Sequence, residues 1–164
     1  MNFALAVRRI TAYLIDIILL FVVLAPAATL VEWLLNLSPQ TPRQVWIATV
    51  LSFSIPTWLY FLLSDHSTSG ATLGKRLLQI RVTMTNGNRP SLKRSFARTA
   101  IKLLPWEMVH VFGFALADEL NVAMQSAGLI AANILLFFYL AITFASRGRR
   151  SLHDLLVGTQ VRLR

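Results

Sequence analysis

Two stretches of this chain, Val45 to Leu63 and Ala127 to Ala145, contain no charged residue at all. Each is close to the roughly 20 apolar residues a helix needs to cross the hydrocarbon of a bilayer. A chain with such runs has few folds open to it. Inside lipid no water is at hand for backbone N–H and C=O groups, so each run must satisfy them internally, as a helix does. Composition agrees. The 164 residues are 55% hydrophobic and 14% charged, where a soluble domain carries about a quarter charged residues.

Two further runs complete the pattern. The first has an uncharged centre, Ile17 to Val31, flanked by Asp16 and Glu32. The other is weaker, because Pro105, Glu107 and His110 interrupt it. Spans are therefore expected at about 12–35, 44–63, 103–119 and 126–145 of a single domain, 1–164, with a cytoplasmic segment 64–102 and a cytoplasmic tail 146–164. Charge placement gives the orientation. Of the 16 Lys and Arg residues, all but Arg43 lie before the first run, between the second and third, or after the fourth. Short cytoplasmic loops hold the excess of basic residues, so both termini and the middle segment are expected inside, which needs an even number of crossings. The location implied is the plasma (inner) membrane. A cleaved signal peptide is the rival reading of the start, with Ala25-Pro26-Ala27 as its small-residue site. Asp16 would interrupt its apolar region and the run continues to Leu35, so retention as a span is expected.

The charged segments have their own periodicity. Leu78, Ile80, Val82 and Met84 alternate with Gln79, Arg81 and Thr83, and Thr159, Val161 and Leu163 alternate with Gln160, Arg162 and Arg164. Period two marks half-buried strands, and a lone strand leaves its backbone unpaired, so the two are expected to pair. From Ser91 a helix is expected, with Arg94, Arg98 and Lys102 at four-residue spacing. That stripe suits an amphipathic helix at the membrane surface, its basic face toward anionic lipid headgroups, with a bend at Pro105 into the third run. The expected fold is an all-α membrane protein: four transmembrane helices in two hairpins, an amphipathic interfacial helix and a short two-stranded cytoplasmic sheet.

Chemistry is sparse. There is no cysteine, hence no thiolate or cysteine-built metal site. The three histidines, at 66, 110 and 153, are scattered, whereas a metal site wants three or four convergent ligands. Gly70 to Arg76 imitates a phosphate loop but has three residues between its glycines and Arg76 where a Ser or Thr would hold magnesium. No nucleophile stands beside a base. No cofactor, no metal and no nucleic-acid partner is expected, and the chain reads as non-enzymatic. Asp16 is the most informative residue, since an acid in an apolar run must be paired or wetted. It is either a proton or cation ligand or, as favoured here, one half of an ion pair with a basic residue of the cytoplasmic segment. Glu107 and His110, three apart, are candidates for a proton relay.

Several motifs fall in a familiar order. Arg9-x-x-Ala12-x-x-x-Asp16 opens the first run, Thr72-Leu73-Gly74-Lys75-Arg76-Leu77-Leu78 precedes Ile80-Arg81-Val82, Arg98 follows, and Leu152-His153-Asp154-x-x-x-Gly158-Thr159-x-Val161 closes the chain. In this it resembles the RDD family of small membrane proteins over nearly its whole length. The arginine and two aspartates of that name would map to Arg9, Asp16 and Asp154. The resemblance implies membership of larger membrane assemblies or cation/proton exchange. The function expected is an accessory or scaffold component of a membrane assembly; the alternative is a sodium or potassium/proton antiporter working as an oligomer. Expected partners are anionic lipids at the basic cytoplasmic face and other membrane proteins or further copies of the chain. Arg9, Asp16, Lys75, Arg76, Arg98 and Asp154 are expected to form one charge network, with Asp16 and Asp154 accepting hydrogen bonds from the bases.

Overall fold

The computed structural model describes residues 4–164. Helix α1 (Ala4–Leu34) is followed by α2 (Pro42–Thr49), a π-helical turn (Val50–Ser54) and α3 (Ile55–His66), which run on as one rod. Thr41 starts that rod with a capping box, its hydroxyl accepting from the Gln44 N–H while the Gln44 side chain accepts from the Thr41 N–H. Next come the single turn α4 (Leu73–Leu77), strand β1 (Ile80–Met84) and α5 (Leu92–His110), continued by a second π-helical turn (Val111–Ala115). Helix α6 (Val122–Ala145), the short α7 (Leu152–Val157) and strand β2 (Thr159–Leu163) close the chain. Among the described residues three helical stretches, Ala4–Leu34, Pro42–His66 and Val122–Ala145, are long and apolar enough to cross a membrane. Their outward faces carry exposed Ile18, Phe21, Val22, Ile130, Ile134 and Phe137, an arrangement suited to lipid rather than water.

The two strands pair antiparallel, Val82 opposite Val161 and Ile80 opposite Leu163. The alternation read from sequence appears as burial at Ile80, Val82 and Val161, which pack on Ala12 of α1 with Leu5 and Leu78 at the margin, but it breaks at Thr83, which is buried, and at Leu163, which is exposed. Close approach depends on glycine at two points. A Cβ on Gly74 would overlap the carbonyl oxygen of Ala12, where α4 lies on α1. Gly148, at φ +83°, has no room for a side chain against the backbone of Leu5 and Ala6.

Helix α5 departs from expectation. It does not lie on the surface with its basic stripe outward: Arg98 is 1% exposed, and the Lys102 ammonium is buried. Arg98 and Lys102 turn inward because Asp65 and Asp154 stand there, and an acid enclosed in the bundle attracts the nearest bases, while Arg94 stays exposed. The helix also continues through Pro105. Proline leaves the carbonyl four residues earlier without its helical donor, and that carbonyl, on Ile101, instead accepts a 2.5 Å hydrogen bond from the Tyr139 hydroxyl of α6.

Tyr139→Phe is expected to destabilise the protein by about 1–3 kcal/mol, the cost of stranding a buried carbonyl. In a Pro105→Ala background the loss should shrink, because an alanine at that position restores the helical donor. Unfolding of the four combinations in detergent reads the coupling, and additive losses would refute this account of α5.

Candidate functional site

The functional candidates converge where α1, α3, α4, α5 and α7 meet. Three carboxylates, Asp16, Asp65 and Asp154, are each 0% exposed. A buried carboxylate is tolerated only when its lone pairs are met, and each is met differently.

Asp16 sits on the fourth turn of α1, facing the start of α4. Its Oδ1 accepts from the Tyr60 hydroxyl at 2.6 Å and the Gly74 N–H at 2.8 Å, and its Oδ2 from the Thr72 hydroxyl at 2.5 Å. The Tyr60 oxygen in turn accepts from the Leu73 N–H. Among the described residues all of its hydrogen-bond donors are neutral. The ion pair expected for Asp16 is thus replaced by hydroxyl and backbone donors, because α4 puts the Gly74 N–H on the carboxylate and the bases next to the other two acids are taken by them. The Thr72-Leu73-Gly74-Lys75 motif has a physical reading in these contacts. Thr72 caps α4 and binds Asp16, Gly74 permits close approach and donates, and Lys75 reaches onward.

Asp65, the last acid of α3, accepts from Lys75 at 2.5 Å through Oδ1 and from Arg98 through Oδ2. Arg98 also reaches Asp154, its Nε 2.8 Å from Oδ1. Arg9 of α1 binds the other oxygen, Oδ2. The result is an unbroken chain of alternating charge, Lys75–Asp65–Arg98–Asp154–Arg9, with one residue from each of α4, α3, α5, α7 and α1. Asp154 further accepts from the Ser151 N–H at 3.0 Å and the Thr159 hydroxyl at 2.8 Å, which holds α7 and the first residue of β2. Burial by itself would raise the Asp154 carboxyl; the Arg9 and Arg98 guanidiniums outweigh it and hold the group well below the usual carboxylate range. Lys75 moves down, chiefly because burial disfavours its charge, with Asp65 opposing.

Of the six residues expected in one network, Arg9, Lys75, Arg98 and Asp154 fall in this chain. Asp16 forms the adjoining neutral cluster. Arg76 lies outside, exposed, bound to the Ala71 carbonyl and the Ser69 hydroxyl. Sequence reasoning missed Asp65 and Lys102. A signal for Asp65 lay in the charge distribution: Asp65 and Asp154 are the acids of the segments expected to be cytoplasmic, which also hold nearly all the bases, so neither should lack a basic neighbour.

Glu107 and His110 do come together, with Glu107 Oε2 3.6 Å from His110 Nδ1. Glu107 accepts from the Ser54 hydroxyl at 3.1 Å and the Trp58 indole N–H at 2.9 Å. Ser54 ends the first π-helical turn and His110 adjoins the second, so both irregular turns border this pair. It stands apart from the ionic chain. Among the described residues no group of three or more His, Cys, Asp or Glu side chains is placed to hold a metal ion.

The geometry defines a helical, membrane-type protein whose charged core joins five helices to one another. The sequence matches the RDD family over residues 3–158, and the chain belongs to that family. No curated protein and no solved structure matches it.

Two measurements probe the core. Asp65→Asn leaves Lys75 and Arg98 short of a counter-charge and is expected to cost about 3–5 kcal/mol; the further change Lys75→Met should recover part of it. Full additivity of the two in thermal unfolding would disprove their coupling. The second uses pH. Burial pushes the His153 imidazole well below its ordinary value, Arg98 and Arg9 push the same way, and Asp154 opposes. The unfolded chain gains this proton near pH 6.5 while the folded one does not. The contribution of His153 is therefore complete above about pH 6.5 and lost as the pH falls toward its folded value, at up to about 1.4 kcal/mol per pH unit. Asp154, with its depressed folded value, contributes fully down to about pH 4 and leaves this window alone. His153→Gln should flatten the melting-temperature decline between about pH 6.5 and 5; an unchanged slope would refute the assignment.

Proposed function

We propose that this protein is a non-enzymatic scaffold of the plasma (inner) membrane, crossing it four times with both termini on the cytoplasmic side. It presents α4, α7 and the β1–β2 pair as a fixed platform to other components of a membrane assembly. The observation that carries this reading is that every oxygen of the three buried carboxylates is met by an internal donor. A carrier must load and release its ion from a carboxylate; here each one joins helices instead. The basic residues of 64–102 and the tail support the orientation, with the third crossing at about 103–119. Exposed Leu73 and Leu77 on α4, and Leu155 and Leu156 on α7, give the platform apolar contacts to offer.

The second reading is cation/proton exchange by an oligomer. It is favoured by Glu107 and His110, a carboxylate and an imidazole side by side among the helices, bordered by π-helical turns of the kind often found at functional sites. Proteoliposomes separate the two readings. The expectation is no sodium- or potassium-driven proton flux above empty liposomes, together with reproducible crosslinks to a membrane protein from photoreactive residues at exposed Arg81 and Lys93. Cation-dependent flux that disappears in Glu107→Gln would replace the scaffold with the exchanger.

A further inference from the structure

A cavity of about 120 Å³ opens between α1 and α6, above the ionic chain. This is far more than the roughly 10–15 Å³ that one water needs. Its walls are of two kinds. Ile10, Leu136 and Leu140 form an apolar side, and Leu136 at its edge is 45% exposed. Arg9, Lys75, Arg98, Lys102 and His153 form a side rich in donors. Four cations thus stand against the three carboxylates Asp16, Asp65 and Asp154, so one positive charge is unmatched.

The unmatched cation is Lys102. Its ammonium is buried and has no hydrogen-bond partner. It lies 3.0 Å from the centroid of the Phe61 ring, which stabilises one side of the ammonium through the ring's π face but accepts no conventional hydrogen bond. His153 supplies a second free donor. Its Nε2 lies 2.8 Å from an Arg9 guanidinium nitrogen. An arginine can only donate, so Nε2 is the acceptor and, in the neutral ring, Nδ1 bears the proton. That Nδ1 is buried and unpartnered. Two buried donors without hydrogen-bond partners, on side chains that line one roomy cavity with four bases against three acids, call for an acceptor that brings negative charge.

We propose that this cleft is a binding site for an anionic phospholipid, its phosphate held by Lys102 and His153 and an acyl chain lying along Leu136, Leu140 and Ile10. The apolar wall and the exposed edge at Leu136 select an amphiphile over a free anion. In the four-crossing topology, on which this assignment rests, the start of α1 and the end of α6 lie at the level of the cytoplasmic headgroups, where such a phosphate is already present. The inward turn of Arg98 and Lys102 then means that this helix meets one lipid inside the bundle.

The test uses the purified full chain in a neutral detergent and titrates three probes: short-chain phosphatidylglycerol, short-chain phosphatidylcholine and inorganic phosphate. Phosphatidylglycerol is expected to bind and raise the melting temperature, phosphatidylcholine and phosphate to do so weakly or not at all. Lys102→Met should weaken phosphatidylglycerol binding about tenfold or more, the loss of a charge-assisted contact, while Lys93→Gln on the exposed face changes nothing. Should Lys102→Met fail to fold, Leu136→Trp fills the apolar wall with every charge in place and is expected to lose binding equally. Equal binding by wild type, Lys102→Met and Leu136→Trp would overturn the site, and phosphate binding as tightly as the lipid would overturn the occupant. The assay needs no protein partner, so its outcome is separate from that of the scaffold reading. Accessibility mapping of Arg8 and Arg149 from either side of the membrane tests the topology on its own.

Discussion

The burial of one guanidinium organises this protein. Arg98 lies in the middle of α5, 1% exposed, with a carboxylate on each side. Removing such a charge from water is costly, and the cost is offset only when both faces of the fork find oppositely charged partners in good geometry. Asp65 and Asp154 meet that demand, and each needs a further base, which draws in Lys75 and Arg9. Five helices are thereby joined to one another through these ion pairs. Apolar packing between membrane helices has little hydrophobic force behind it, since lipid tails are as apolar as leucine. A charged chain of this kind gives the bundle a single arrangement that interchangeable apolar surfaces would not.

The same constraint explains the neutral cluster at Asp16. With the bases committed to the other two acids, its oxygens are met by Tyr60, Thr72 and the Gly74 N–H. That cluster ties the first helix to the turn that leads into β1, and β1 carries β2. These elements are thus continuous with the bundle. A rigid platform of this sort suits the proposed scaffold role, in which a partner reads a surface that holds its shape.

Where the lock is incomplete, chemistry is left over. Lys102 lacks a carboxylate because Asp65 is already shared by two other bases. The unmatched charge faces the cleft between α1 and α6 instead of water. Glu107 and His110 are the other remainder, joined to Ser54 and Trp58 and separate from the chain.

Much of the fold was legible in sequence because its causes are local. Uncharged runs of nearly twenty residues must be helices in a membrane, and period two at 80–84 and 159–163 must be strands that seek each other. The family motifs marked Arg9, Asp16 and Asp154 as special, and the excess of bases over acids implied that the buried acids would be partnered. What sequence could not decide was which acid meets which base, because that depends on distances between residues 10 to 145 positions apart. It read the stripe Arg94, Arg98 and Lys102 as a surface facing lipid phosphates, since a basic helix face and a basic helix core have the same spacing. Only the tertiary structure, by enclosing Asp65 and Asp154 beside that stripe, turned Arg98 and Lys102 inward, gave Asp16 neutral donors and left Lys102 facing a cavity. Period and composition set the elements; the cost of an unpaired charge away from water set how they came together.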